Sequence, residues 1–116
     1  MAEFLFVLHT DDNEKAARCF QFAKIAHEKK HTVAIFLVDD GVHWAVTGKD
    51  GSQKTLTGDC PADYLPYLQE NRVATGVCTP CAKGRSLDEA TFLSNMKLDT
   101  GGHLIDLAAT AQVFNF

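Results

Sequence analysis

Two nearly unbroken apolar runs, Ala2–His9 and His31–Val38 (HTVAIFLV), flank a stretch whose apolar residues recur at helical spacing. An apolar run of that length bounded by polar residues reads as a strand covered on both faces, the kind that builds a parallel sheet. Between the runs, Thr10-Asp11-Asp12-Asn13 supplies helix start signals, and Asp11 with Glu14 matches a capping-box pattern. From Glu14 to Lys30, Ala16, Cys19, Phe22, Ala23 and Ala26 share one face, while Glu14, Arg18, Gln21 and Glu28 share the other. That is an amphipathic helix, and strand–helix–strand is the opening unit of an α/β fold.

The remaining segments continue the alternation. Asp39-Asp40-Gly41 breaks the second run, and Val42–Val46 is predicted to form a short helix carrying His43 and Trp44. Thr47–Gly58, with three glycines and one large apolar residue (Leu56), reads as a surface loop or small hairpin of the kind that often serves as a lid. Pro61–Asn71 reads as a helix with Pro61 in its first turn. Arg72–Cys78 (RVATGVC) is a third strand. Further on, Leu87–Asn95 is expected to be a short helix capped by Ser86 in the order Ser-x-x-Glu, and Met96–Asp99 a short strand. Gly102–Thr110 reads as a helix and Ala111–Phe116 as a last strand. The expectation is one α/β domain over residues 1–116, a three-layer sandwich with a mostly parallel sheet of about five strands and helices on both faces.

Composition narrows the function classes. With 46% hydrophobic residues and a formal net charge of −4, the chain is not disordered. Its apolar runs fall far short of the roughly 18 residues of a membrane span. Glu3 stands where a secretory signal would carry basic residues, so a cytoplasmic location is expected. Eleven basic against 15 acidic residues argue against direct nucleic-acid binding. No Gly-x-Gly-x-x-Gly and no Walker lysine loop opens a helix, so nucleotide cofactors are not expected.

In an open α/β sheet, ligands bind beyond the carboxyl ends of the strands. His9–Asn13, Asp39–Trp44 and Cys78–Arg85 occupy such places. They supply His9, then Asp39, Asp40, His43 and Trp44, then Cys78, Thr79, Cys81, Lys83 and Arg85. In a reducing compartment Cys-x-x-Cys is more often catalytic, redox-active or metal-binding than a structural disulfide. Thr79 can cap a turn after Cys78, and Pro80 suits its first helical position. A cysteine at a helix N-terminus, with Lys83 and Arg85 nearby, is expected to have a lowered pKa and a nucleophilic sulfur. The plainer alternative makes Cys78 a small residue that ends a strand. Cys81 is either its resolving partner or a helix residue facing the sheet.

The other candidates divide between site and structure. Cys19 belongs to the apolar face of the first helix, and Cys60 sits in a loop before Pro61. Zinc would need two more ligands from Cys60, His43 or His9, and no second Cys-x-x-Cys or His-x3–5-His spacing supplies them, so no metal is expected. His43 and Trp44 either wall a pocket or pack on the sheet or a neighbouring subunit. His9 is either a site residue or a hydrogen-bonded structural one. His27, His31 and His103 read as helix-end or surface residues.

The order of these segments resembles the DsrE/DsrF-like family, small α/β proteins that include sulfur-relay subunits. The resemblance rests on the apolar strand before Thr10-Asp11-Asp12, on Val38-Asp39-Asp40-Gly41-Val42, on Gly76-Val77-Cys78, and on Ala111-Gln112-Val113-Phe114. It implies a flat parallel sheet sandwiched by helices and assembly into trimers or hexamers. It also implies a persulfide on the cysteine matching Cys78, exchanged with sulfur donor and acceptor proteins. The second thiol, Cys81, is one that a single-cysteine carrier does not need. Dithiol–disulfide exchange through Cys78 and Cys81, and an oligomeric binding or scaffold subunit, are the alternatives. Trp44, Tyr64, Tyr67, Phe114 and Phe116 supply more large apolar groups than one small core needs, which also points to an oligomer.

Overall fold

In the computed structural model, which describes residues 1–116, five strands alternate with four α-helices. The strands are β1 (Glu3–Leu8), β2 (Thr32–Leu37), β3 (Ala74–Cys78), β4 (Met96–Asp99) and β5 (Gln112–Asn115). The helices are α1 (Asn13–Glu28), α2 (Leu65–Glu70), α3 (Thr79–Gly84) and α4 (Gly101–Ala108). The sheet order is β4-β3-β2-β1-β5, and every neighbouring pair is parallel. No helix is long and apolar enough to cross a membrane.

Side chains alternate across each strand, so the sheet buries two sets of residues. Phe6, Leu8, Ile35, Leu37 and Val77 face the larger core, against Ala16, Cys19, Phe20 and Ala23 of α1, Leu68 of α2 and Ala82 of α3. Leu5, Val7 and Phe36 face the opposite layer, where Leu104, Leu107 and Ala108 of α4 cover them. The chain therefore leaves β3 toward one face, into α3, and leaves β4 toward the other, into α4. Neighbouring strands whose exits diverge open a crevice at their carboxyl ends. By that rule the site belongs at the ends of β3 and β4, where Cys78 and Asp99 are partners in register.

Several local expectations are corrected. The α1 cap is Asp12, whose side chain accepts from the Lys15 N–H, so the Asp11–Glu14 pattern is not used. On α1 the buried phenylalanine is Phe20, whereas Phe22 is exposed beside Phe116. The expected Pro61–Asn71 helix is divided into a 3-10 turn, Pro61–Asp63, and α2, with Pro66 in the first turn of α2. Proline lacks an N–H and clashes with the carbonyl four residues back, so the helix restarts at Pro66. Leu87–Asn95 contains only a 3-10 turn, Glu89–Thr91, capped by Asp88. Ser86 has a φ of +57°, which no N-cap adopts, and the Glu89 carboxylate accepts from the Leu98 N–H instead of turning back.

The segment after β2 forms a 3-10 helix, Asp39–Ala45, longer than the expected Val42–Val46 turn. The loop before Pro61 is tied down. Asp59 accepts from Arg18 on α1, from Tyr64, from Thr57 and from Thr55, and Asn13 donates to the Gln53 carbonyl. None of these bonds reaches the cysteine pair.

Candidate functional site

Cys78 is the last residue of β3 and the N-cap of α3, because the strand ends where Pro80 can occupy the first helical turn. Its thiol is half-buried and free, as is that of Cys81 one turn on. The Thr79 hydroxyl donates to the Asp99 carbonyl (2.8 Å), fastening the start of α3 to the end of β4.

The 3-10 helix after β2 packs beside α3 and brings two carboxylates with it. The Asp39 N–H donates to Cys81 Sγ (3.2 Å), and the Asp39 carboxylate lies 3.9 Å from the same sulfur. Asp39 achieves this in the left-handed region, at φ +49°. Arg85 Nε donates to Asp40 (2.9 Å) and Arg85 Nη1 to the Cys81 carbonyl (3.2 Å), which clasps α3 to the 3-10 helix. His43 Nε2 sits 3.8 Å from the same Asp40 oxygen.

The electrostatics of Cys78 differ from the expectation of a lowered pKa. Burial pushes its thiol up, a hydrogen bond with the Cys81 side chain pushes it further, and the Cys81 backbone N–H pulls the other way. Asp39 adds negative charge. Arg85, expected to act on the sulfur, spends its guanidinium on Asp40 and a carbonyl, and α3 spans only six residues. The resting form of Cys78 at neutral pH is therefore the thiol.

The structure thus gathers Cys78, Thr79, Cys81, Asp39, Asp40, His43 and Arg85 into one neighbourhood. Lys83 is exposed on α3 and pairs with no carboxylate. His9, just past the end of β1 and so two strands away from β3, is bonded through Nε2 to Asn115 at the end of β5. Trp44 is 1% exposed and packs edge-on against Phe20, inside the larger core, so it does not wall a pocket with the cysteines. Its ring supplies core volume, and Lys49 Nζ lies 4.8 Å from its centroid on the outer side. Cys19 and Cys60 are buried.

Sequence reasoning missed Asp99 and His103. Asp99 ends β4 beside Cys78, and its carboxylate is 2.6 Å from His103 Nδ1 on the first turn of α4. The signal was present, since an Asp closing a strand four residues before a His places both at a carboxyl end.

The family model described as DsrE/DsrF-like matches residues 2–116. An uncharacterized protein, MK0008, of Methanopyrus kandleri is 32% identical over 96 residues, covering 80% of this chain and 74% of that protein. The crystal structure of the ychN protein from E. coli superposes with a TM-score of 0.83 at 19% identity, over the full length of both chains. The protein of unknown function MTH1491 from Methanobacterium thermoautotrophicum does so with a TM-score of 0.73 at 12% identity, again over both full lengths. At 19% and 12% identity these two likenesses are of fold alone. Over nearly its whole length, then, this chain belongs to the DsrE/DsrF-like family.

Proposed function

We propose that the protein is a sulfur-relay component that carries a persulfide on Cys78 and exchanges sulfur with donor and acceptor partners in the cytoplasm. The observation that carries this reading is a free, half-buried thiol at the carboxyl end of β3, in register with Asp99 of β4 and one helical turn before a second free thiol. The family is one associated with sulfur relay. Because Cys78 rests as a thiol, it must lose its proton on the way to attack. Cys81 lies one turn on, and its sulfur faces the Asp39 carboxylate at 3.9 Å, which offers a proton acceptor beside the pair. Incubation with a persulfide donor followed by intact mass measurement should add one sulfur atom to the wild type. Equal labelling of Cys78→Ser would overturn the assignment.

Dithiol–disulfide exchange is the second reading, favoured by two free thiols one helical turn apart and by the Asp39 N–H on Cys81 Sγ. A Cys78–Cys81 disulfide that is stable at a cytosolic glutathione poise would select it over sulfur carriage.

The working form is a homo-oligomer, a trimer or hexamer as in the family. Trp44, Tyr64 and Tyr67 no longer argue for this, being respectively buried, bonded to Asp59 and bonded to His27. The exposed apolar patch at the β5 edge does: Phe22 is 38%, Ile25 39% and Phe114 42% exposed. A monomeric sedimentation coefficient at micromolar concentration would count against it.

A further inference from the structure

The α4 layer covers only half of its sheet face. Leu104 and Leu107 sit over β1 and β2, while over β3 and β4 the same face presents Ala74, Gly76 and Cys78 beside Lys97 and Asp99. The uncovered half is a groove of about 580 Å³, within the roughly 300–1,000 Å³ typical of small-molecule sites. Its length runs from Arg72, just before β3, past Lys97, to Asp99 and His103. In register, the next residue of β3 on this face after Gly76 is Cys78, paired with Asp99; it adjoins the Asp99 end of the groove and is not one of the residues that line it.

The charge of the groove is unlike that of the chain. The protein carries a net −4, yet Arg72 and Lys97 line the groove with no carboxylate within ion-pair distance. The one carboxylate in the lining, Asp99, is already engaged by His103. Gly76 keeps the floor low: a Cβ there would come within 2.8 Å of the Asp99 carboxylate and 2.7 Å of the Phe36 ring. Two uncompensated cations above a floor of small residues suit a flexible organic molecule bearing more than one acid group.

We propose that this groove binds a low-molecular-weight, multiply anionic thiol compound, with its acid groups on Arg72 and Lys97 and its sulfur at Cys78. That the compound is the sulfur donor rests on the sulfur-relay reading; the binding site itself does not. In the transfer, the Cys78 thiolate attacks the terminal sulfur of the compound's persulfide, R–S–SH. The Cys78 Sγ–S bond forms, the donor S–S bond breaks, the terminal sulfur keeps its hydrogen, and R–S⁻ leaves to take up the proton that Cys78 gave up.

S-methylglutathione, which carries two carboxylates and no transferable sulfur, is the binding probe, and glutathione persulfide is the transfer probe. S-methylglutathione should bind saturably and slow alkylation of Cys78, read by peptide mass. Lys97→Ala and Arg72→Ala, both exposed positions, should each weaken binding about tenfold, the loss of one charge-assisted contact. They should also relieve the protection of Cys78. Absence of saturable binding at millimolar probe, or binding indifferent to both substitutions, would overturn the groove. Binding and protection without sulfur gained from glutathione persulfide would leave the groove standing and remove the donor role. Sulfur loading unaffected by either substitution, where both weaken binding, would leave the relay reading and the groove and remove the groove's part in donation.

Discussion

The backbone N–H of Asp39 donates to the sulfur of Cys81 across 3.2 Å, and the bond exists only because Asp39 lies in the left-handed region. That conformation costs a residue with a Cβ about 1–2 kcal/mol, less for aspartate and asparagine, whose short polar side chains tolerate it. Cys78 does not have this donor, so the two thiols of one Cys-x-x-Cys stand in different settings.

Asp39→Gly should keep this turn and the fold stability, whereas Asp39→Val should lose about 1–2 kcal/mol, because a β-branched side chain disfavours positive φ. Urea denaturation measures the difference. In the same pair, alkylation of Cys81 at fixed pH should stay near wild type in Asp39→Gly and fall in Asp39→Val.

Gly41 crosses the carboxyl end of β1 at a distance no side chain permits. A Cβ there would lie 2.9 Å from the Leu8 carbonyl carbon and closer still to its oxygen. Gly41→Ala should therefore destabilise the protein by about 2–3 kcal/mol, as overpacking against backbone does. It should also loosen the Arg85–Asp40 clasp, since the 3-10 helix must move outward. Chemical denaturation gives the first effect, and faster backbone exchange in Asp39–Ala45 the second.

Asp59 should make the protein acid-sensitive. Hydrogen bonds from Arg18, Thr55 and Tyr64 hold its carboxyl well below the usual carboxylate range. A depressed folded-state pKa gives stability that is present above the unfolded value of about 3.9 and is lost as pH falls below it. Asp59→Asn should cost about 1–2 kcal/mol at neutral pH, given the partial solvent exposure of the pair. The variant should lose less further stability than wild type between pH 4 and 2, read by thermal melts across the series (the range is set by the roughly 3.9 reference value). At the alkaline end Tyr64, pushed up to about 12 by burial and by Asp59, keeps its proton in the folded state. That contribution is full below the unfolded tyrosine value of about 10 and is lost as pH climbs above it.

Cys78 should react slowly at neutral pH and accelerate with alkalinity. Its raised pKa means that the alkylation rate keeps climbing beyond the ordinary thiol value of about 8.5. Cys81→Ala removes the thiol hydrogen bond that contributes to this rise and should move the midpoint down. A midpoint below 8 (about half a unit under the ordinary value) in the wild type would contradict the burial argument. The sign for stability follows: the contribution of the raised pKa is full below the unfolded value of about 8.5 and is lost as pH rises from there through the folded pKa.

The sheet was legible because buried parallel strands leave an unmistakable record. Phe4–Leu8 and Val33–Leu37 are apolar on both faces, and only a layered α/β fold buries both faces of a strand. Asp40 and Arg85 were legible as residues of the segments that follow β2 and β3, although their pairing with each other was not. Other parts of the site were not. Trp44 beside His43 reads the same whether its ring faces a pocket or Phe20, and the 3-10 geometry decides that. Periodicity also failed where one residue overrides it, as at Pro66, or where φ turns positive, as at Ser86.

Local pattern alone determined the alternation of strands and helices, the cysteine that ends β3 and the absence of a glycine-rich nucleotide loop. These follow from burial and backbone chemistry within a few residues. The tertiary structure decided which sheet face each segment covers, and so which residues 20 to 40 positions apart meet. It set Asp99 beside Cys78 and His103 on Asp99, left half of one sheet face open, and turned the expected depression of the Cys78 pKa into an elevation. The reason is that desolvation and charge depend on everything packed around a group, whereas a sequence window records only its chain neighbours.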